Sequence, residues 1–150
     1  MTNLPGGVLI DEKLSECLRS DSWALLLISL INLDFFRESY GFVASDDVLR
    51  AVSLMIHNAV REVGHSTDFI GQYSSTQFLL VTQPASLAEL KTRISTRLEQ
   101  TLDFFYPLKD RSQKENRSKR LAVSIHELES AQGPFANVKT LKTTLESQAV

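Results

Sequence analysis

The apolar positions near the start of the chain form two contrasting patterns. Trp23 to Asn32 reads WALLLISLIN, a nearly continuous apolar run of strand length. Such a run is typical of a strand that is buried on both faces of a sheet. Before it, Asp11 to Arg19 carries apolar side chains at helical spacing, at Leu14, Cys17 and Leu18. We therefore predict a short helix followed by a buried strand.

A longer helical pattern follows this strand. Ser45 is a residue type that caps helices, and Asp46 and Asp47 after it suit the positive end of a helix dipole. Gly64 is placed to end the helix. The apolar positions between them recur at helical spacing and are Leu49, Val52, Ile56, Ala59 and Val63. The pattern predicts a helix that is capped by Ser45 and buries one face.

The next part of the chain holds a hairpin and a second long helix. Asp68 to Thr82 contains two apolar half-strands around a polar turn at Ser74 to Thr76, which predicts a β-hairpin. Pro84 then interrupts the chain, and Ser86 with Glu89 has the form of a capping box. The helix that follows has an apolar stripe made of Leu87, Leu90, Ile94, Leu98, Leu102 and Phe105.

Two shorter apolar patterns close the chain and predict a strand and a weak terminal helix. The positions are Leu121, Val123 and Ile125 for the strand, and Val138, Leu141 and Leu145 for the helix. The whole order is helix, then β-α-β-β-α-β, then helix. It predicts an α+β fold with a ferredoxin-like or palm βαββαβ core, a central antiparallel sheet with two helices packed on one face. Many unrelated functions use this plan, so it does not identify one.

Composition narrows the class of protein. The chain has 150 residues, of which 43% are hydrophobic and 23% charged, as is typical of one soluble globular domain. No apolar run is long enough to span a membrane, and the N-terminus lacks the pattern of a signal peptide. The net charge of −2 argues against a dedicated nucleic-acid binder. Cys17 is the only cysteine, which fits a reducing cytoplasm.

Five short strings follow one another in an order and spacing shared with one known family. TNLPGGVL (Thr2–Leu9) is similar to the family's T-x-L-P-N-R-x-x-(L/F), and LINLDFFRE (Leu30–Glu38) to its (L/I)-D-(I/L)-D-x-F-K. YGFVASDDVLRAV (Tyr40–Val52) is similar to (Y/F)-G-H-x-x-G-D-x-x-L-x-x-(V/A), and VSIHEL (Val123–Leu128) to (V/T)-S-I-G-V-A. QYSSTQF (Gln72–Phe78) lies where the family has R-x-G-G-(D/E)-E-F. Over nearly its whole length the chain thus resembles the GGDEF domain, the diguanylate cyclase family that joins two GTP molecules into cyclic di-GMP.

The departures from this pattern fall at the functional positions of the family. The resemblance implies two metal-binding acids, but Asn32 and Thr76 stand in their places. The second acid of the D-x-D pair is kept as Asp34. The signature itself is replaced by a neutral polar string, followed by the retained aromatic residue: Ser74, Ser75, Thr76, Gln77 and Phe78.

The loss of these acids has a chemical consequence. Phosphoryl transfer needs divalent ions to neutralise the charge that develops on the triphosphate. Mg²⁺ prefers carboxylate oxygens, whereas Asn32 and Thr76 carry no negative charge. The Cβ atoms of Ser74 and Ser75 also narrow the approach that glycine would leave for a ligand. We therefore predict no cyclase activity, no catalytic residue and no bound cofactor; Mg²⁺ would be required only for residual activity.

The resemblance also implies two nucleotide sites. It assigns a guanine contact to Asp46, and we predict further nucleotide contacts at Phe35 and Phe36. The family's inhibitory R-x-x-D is here HSTD, so that His65 and Asp68 form a remnant of the site that binds cyclic di-GMP. Because His65 replaces an arginine that would grip a phosphate or guanine with two hydrogen bonds, binding of cyclic di-GMP is not favoured.

Simpler structural roles compete with these assignments. Asp34 suits a strand end that bonds local backbone, since a single carboxylate rarely holds Mg²⁺. Asp46 equally suits the dipole of its helix. The family's guanine-contacting K-x-x-N-D segment is shortened by about three residues between Glu38 and Tyr40. The loop Lys109 to Arg120 has six basic residues that suit phosphate or RNA, but no aromatic residue is interleaved, which favours a solvated connection.

These observations define one hypothesis and two alternatives. We predict that residues 1–150 are a single GGDEF-like domain excised from a longer multidomain bacterial protein, and that it is a catalytically inactive signalling module of the cytoplasm. It would act through homodimerisation, partner contacts or residual nucleotide binding, behind an upstream receiver or sensory domain as in a response regulator, with no membrane or nucleic-acid partner. The alternatives are a weakly active or GTP- or cyclic di-GMP-binding remnant, and a small-molecule-sensing module of the same fold.

Overall fold

A computed structural model, which describes residues 4–111 and 117–147, shows an antiparallel sheet with helices on both faces. The strands are β1 Ala24–Ile31, β2 Phe69–Ser74, β3 Gln77–Thr82 and β4 Ala122–Glu129. They lie in the order β2-β3-β1-β4, and each pair of neighbours is antiparallel. This is the order of a βαββαβ core, so the predicted fold class is confirmed.

Helices and short turns connect these strands. The helices of the described part are α1 Gly7–Leu18, α2 Leu33–Val63, α3 Pro84–Thr101, α4 Leu108–Arg111 and α5 Val138–Ser147. Single 3₁₀ turns lie at Leu102–Phe105, Arg117–Lys119 and Ser130–Gln132. The start of the first family-like string, at Thr2, and the middle of the basic loop fall outside the described residues. No helix within residues 4–111 and 117–147 is both long and apolar enough to cross a membrane.

The central strand β1 is buried on both faces, as its apolar run predicted. Leu26 and Ile28 belong to the core formed with α2 and α3, whereas Leu25 and Leu27 belong to a second core on the opposite face. The prediction of helices on one face only was incomplete, because α1 and α5 cover the second face. They bury there the apolar side chains of Ile10, Leu14, Cys17, Leu141 and Leu145.

The start of α2 differs from the prediction. The helix begins at Leu33, and a break at Gly41, whose φ is 91° and ψ is 175°, divides it into two segments. Ser45 is therefore not an N-cap: it lies inside the first turns of the second segment, fully buried, and its hydroxyl donates to the carbonyl of Phe42 at 3.0 Å. The sequence prediction was wrong because glycine can take the positive φ that restarts the chain ahead of Ser45.

The start of α3 was also misplaced by the pattern of Ser86 and Glu89. The helix begins at Pro84, with Gln83 as the residue before its first turn. Proline suits the first helical position because its missing N–H has no partner there in any case. Ser86 is accordingly a buried residue within the helix and does not cap it. The apolar stripe itself is confirmed, since Leu87, Leu90, Ile94 and Leu98 are all buried.

An aromatic cluster joins the first segment of α2 to the chain that leads into β4. Phe36 packs edge-on against Tyr106, with ring centroids 5.2 Å apart, and Tyr40 lies 4.9 Å from Phe36. The guanidinium of Arg120 lies 4.0 Å from the centroid of Tyr106. Burial and a hydrogen bond to Asp110 raise the pKa of Tyr40 to about 12, so its hydroxyl is a donor at neutral pH. The cluster fixes the wall behind the candidate site.

Candidate functional site

The signature site, as we call it, is the end of the sheet where β1 passes into α2 and where the β2–β3 hairpin turns. Its positions are Asn32, Asp34, Ser74, Ser75, Thr76 and Gln77. The N–H of Leu30 donates to the carbonyl of Thr76 at 2.9 Å, which ties the hairpin turn to the end of β1. The residues that the family resemblance singled out therefore lie in one region of the structure.

Asn32 is committed to a structural contact. It adopts a left-handed conformation, with φ 69° and ψ 22°, directly before α2. Asparagine tolerates this conformation better than most residues. Its Nδ2 donates hydrogen bonds to the carbonyl oxygens of Ser118 and Arg120, both at 2.8 Å. The side chain at the first metal position thus holds the segment that precedes β4.

The hairpin turn is closed by hydrogen bonds between neutral side chains. Ser74 Oγ donates to Gln77 Oε1 at 2.8 Å, and Gln77 Nε2 donates to Ser29 Oγ at 3.0 Å. Gln72 Nε2 also donates to the carbonyl of Ser74 at 2.6 Å. Both ends of the Gln77 amide are therefore used within the hairpin and its neighbouring strand. Phe78, beside them, is fully buried in the core.

The donor set of the signature site does not fit a hard divalent cation. Asp34 is its one carboxylate; it is exposed and lies in the first turn of α2, where the helix dipole stabilises it without a metal. Asn32 uses its amide for two carbonyl groups, and Thr76 offers a neutral oxygen. Within residues 4–111 and 117–147, no group of three or more His, Cys, Asp and Glu side chains is placed to hold a metal ion. Mg²⁺ takes oxygen ligands that include carboxylates, so one acid is too little charge.

The predicted nucleotide contacts are divided between surface and core. Phe35 is 38% exposed, and the ammonium of Lys119 lies 5.3 Å from its ring centroid. Phe36 is only 2% exposed and packs against Tyr106, so its side chain is part of the core. Asp46 is half-buried and has no hydrogen-bond or ionic partner in the described part of the chain.

The chain around Asp46 is more closed than the family pattern implies. α2 passes from its first to its second segment at Gly41 without an intervening loop, in keeping with the shortened sequence. Ser45, which stands where the family has glycine, is fully buried and accepts a hydrogen bond from Arg37 Nε at 3.2 Å. Asp46 lies in the second turn of its segment, so the dipole of the helix stabilises it less than predicted.

His65 and Asp68 lie together in the turn that follows α2. Asp68 Oδ2 accepts a hydrogen bond from the backbone N–H of His65 at 2.9 Å, and its own N–H donates to the His65 carbonyl at 3.0 Å. A Cβ on Gly64 would meet Asp68 Oδ2 at 2.5 Å and the Val60 carbonyl at 2.8 Å. Glycine is required here by this close approach, and Asp68 serves to close the turn.

An open groove of about 820 Å³ extends from this turn along α2. We call it the α2–β2 groove. Its lining residues are Leu4, Pro5, Leu54, His57, Val60, Arg61, Gly64, His65, Ser66, Asp68 and Ile70. Sequence reasoning identified only its two ends, His65 and Asp68, because the exposed face of a helix carries no periodic signal. The same limit applies to Asn32, whose partners lie far away in the sequence.

The sequence of the chain matches one family model. Residues 1–134 match the model described as the diguanylate cyclase GGDEF domain. No curated protein is similar enough in sequence to match the chain.

Solved structures with the same fold come from bacteria. The GGDEF domain of YfiN (TpbB) from Pseudomonas aeruginosa is 19% identical, with a TM-score of 0.71, over 98% of this chain and 83% of that one. The GGDEF domain of DgcB from Caulobacter crescentus, solved in complex with cyclic di-GMP, is 16% identical, with a TM-score of 0.70, over 97% and 83%. SiaD, a diguanylate cyclase from Pseudomonas aeruginosa solved with its activator SiaC, is 13% identical, with a TM-score of 0.72, over 99% and 54%.

These comparisons agree with the order of strands and helices. This chain spans about half the length of SiaD, 54%, and most of the length of the isolated GGDEF domains. The low identities compare folds alone, whereas the family model covers residues 1–134 of the sequence itself. The chain therefore belongs to the diguanylate cyclase GGDEF domain family.

Proposed function

We propose that this chain is a catalytically silent GGDEF domain that serves bacterial signal transduction through contacts with a partner or with a second copy of itself. The observation that carries the proposal is the bonding of Asn32. Its amide donates to the carbonyl oxygens of Ser118 and Arg120, both at 2.8 Å, at the position where the family has a metal-binding acid. The position has a structural role that a carboxylate could not fill, because a carboxylate has no proton to donate.

The chemistry of the reaction supports the same proposal. Joining two GTP molecules requires divalent ions beside the triphosphate, and each tenfold loss of rate corresponds to about 1.4 kcal/mol of transition-state stabilisation. Asn32 and Thr76 together remove two negative charges from the place where such ions would be held. Ser74 and Gln77 spend their polar atoms on each other and on Ser29. Nothing in this hairpin is left to neutralise a triphosphate.

An interaction role has support from a relative. SiaD was solved in complex with its activator, which shows that a protein with this domain takes a protein partner. We extend this to the present chain as part of the proposal, together with an upstream receiver or sensory domain and a cytoplasmic location. Burial raises the pKa of the Cys17 thiol to about 11, so the thiol stays protonated and unreactive at neutral pH, which suits a reducing compartment but does not require one.

The proposal is tested by incubating the chain with GTP and Mg²⁺ and measuring cyclic di-GMP by chromatography, with an active diguanylate cyclase as the positive control. Binding of GTP and of cyclic di-GMP is titrated in parallel by calorimetry, with and without Mg²⁺. We expect no product and no metal-dependent binding of GTP. Metal-dependent GTP binding followed by formation of cyclic di-GMP would sink the proposal. Binding of cyclic di-GMP without turnover would instead favour the nucleotide-binding remnant.

A further inference from the structure

The α2–β2 groove has an apolar interior. Leu54, on the exposed side of α2, is 59% exposed, which is unusual for a leucine on a helix that packs its other face into a core. Leu4, Val60 and Ile70 are half-buried and line the groove around it. Single exposed apolar residues are ordinary, but here the leucine borders a concave apolar surface. That combination is typical of a surface that takes an apolar side chain from a partner.

The rim of the groove carries cationic and titratable groups. Arg61 bonds the side-chain oxygen of Asn58, a neutral partner, so its positive charge is not compensated. His57 Nδ1 lies 3.0 Å from the Ser53 carbonyl and must donate to it, which leaves Nε2 without a partner in residues 4–111 and 117–147. The His65 ring has no partner in that part of the chain.

The negative charge of the groove is already engaged. Asp68 is the acid of the lining, and its Oδ2 accepts the backbone N–H of His65. The whole chain has a net charge of −2, so an uncompensated arginine with two histidines is a local reversal of its overall sign. Opposite charge on a partner steers its approach and fixes its orientation at such a rim.

The shape of the groove favours a helix over an added strand. On the β2 side, the N–H of Gln72 already donates to the Pro5 carbonyl at 2.8 Å, so this edge of the sheet is occupied there by the chain's own N-terminal segment. Along α2, the groove runs from Leu54 to Gly64, about 15 Å at the rise of an α-helix. Three turns of a partner helix match that length, with apolar side chains three or four residues apart facing inward.

We propose that the α2–β2 groove is the docking site of an acidic amphipathic helix from a partner protein. Apolar side chains of that helix would pack against Leu54, Val60 and Ile70, and its carboxylates would face Arg61, His57 and His65. The proposal names the partner surface for the interaction role proposed above, and it rests on that role. It requires no nucleotide and no metal.

The experiment selects helical peptides of about 12 residues from a display library against the folded wild-type chain. The selected sequences are synthesised, and their dissociation constants are measured by fluorescence anisotropy against variants. Leu54→Asp removes the apolar anchor, and Arg61→Glu reverses the rim charge. Leu108→Asp and Lys139→Glu are matched controls, since Leu108 is 79% exposed and Lys139 is exposed, and neither lines the groove.

The expected result has three parts. The enriched peptides carry net negative charge and apolar residues at helical spacing. Leu54→Asp and Arg61→Glu each weaken their binding by roughly tenfold or more, while both controls leave it within about twofold. All four variants unfold at the same urea concentration as the wild type, because the altered side chains are exposed.

Other results would overturn the proposal. Enriched peptides that are basic, or that bind Leu54→Asp as tightly as the wild type, would place the binding surface elsewhere. Displacement of the peptides by cyclic di-GMP would assign the groove to a nucleotide. A concentration-dependent dimer that Leu54→Asp abolishes would assign it to a second copy of the chain. Turnover of GTP is measured separately, so failure of the silent-enzyme proposal is distinguished from failure of this one.

Discussion

The signature site and the α2–β2 groove differ in how their polar side chains are used. At the signature site, Asn32 and Gln77 bond other parts of the same chain, and the hairpin is closed by these contacts. In the groove, Arg61 and His65 lack charged partners among the described residues and border an open surface. A polar group that is already satisfied internally gains little from a ligand, whereas an uncommitted one can gain a full interaction. The comparison predicts that mutations at the first site change stability and that mutations in the second change binding.

The largest expected effect in this comparison comes from Asn32→Asp. The carboxylate cannot donate to the carbonyl oxygens of Ser118 and Arg120 and would repel them at about the same distance. We expect a loss of about 2–4 kcal/mol in the free energy of unfolding, measured by urea denaturation. Asn32→Gly is the control, because it keeps the positive φ and loses only the amide, and it should cost less. Recovery of the aspartate variant on addition of Mg²⁺ would show a metal site and contradict the structural role.

A second test lies at the end of the groove, where Gly64→Ala should cost about 2 kcal/mol. The added Cβ would lie 2.8 Å from the Val60 carbonyl and 2.5 Å from Asp68 Oδ2, so the turn must shift. Gly7→Ala is the matched control, since nothing lies within 4 Å of a Cβ at that position. Thermal unfolding of both variants checks the prediction. Equal stability of the two would show that the turn is not as tight as described.

A third test measures the coupling within the hairpin. Gln77→Ala and Ser29→Ala should each cost about 1 kcal/mol, because each removes one partner of the hydrogen bond from Gln77 Nε2 to Ser29 Oγ. In a double-mutant cycle, the pair should cost less than the sum of the single variants by about 0.5–1 kcal/mol. Strict additivity would mean that this hydrogen bond does not hold the hairpin to β1.

The smallest effect is expected at Glu62, which lies beside Arg61 in the chain but faces α3. Hydrogen bonds from Arg97 and Arg93 lower the pKa of its carboxyl below the ordinary value. A lowered pKa in the folded state stabilises the fold above the unfolded pKa of about 4.5, and this contribution is lost as the pH falls below it. The difference in stability between the wild type and Glu62→Gln should therefore shrink from pH 7 to about pH 3. A difference that is constant with pH would exclude the ion pairs as its cause.

The places where sequence reasoning failed share a physical cause. Ser45 and Ser86 are good capping residues, yet the helices begin earlier, at the Gly41 break and at Pro84. Capping preference amounts to about 1 kcal/mol, and packing of the apolar stripe together with backbone conformation outweighs it. Phe36 shows the same limit, because the sequence gives no sign that its ring packs against Tyr106 in the core.

The sequence by itself determined the order of strands and helices, the buried central strand and the family, since these depend on local periodicity and on short strings of fixed spacing. It also determined that the signature carries no acid. Only the tertiary structure decided what the replaced residues do. Asn32 is separated from Ser118 by 86 positions, and Gln77 from Ser29 by 48, so no local pattern could pair them. The α2–β2 groove exists for the same reason: it is formed where α2, β2 and the N-terminal segment meet, and each is unremarkable when read alone.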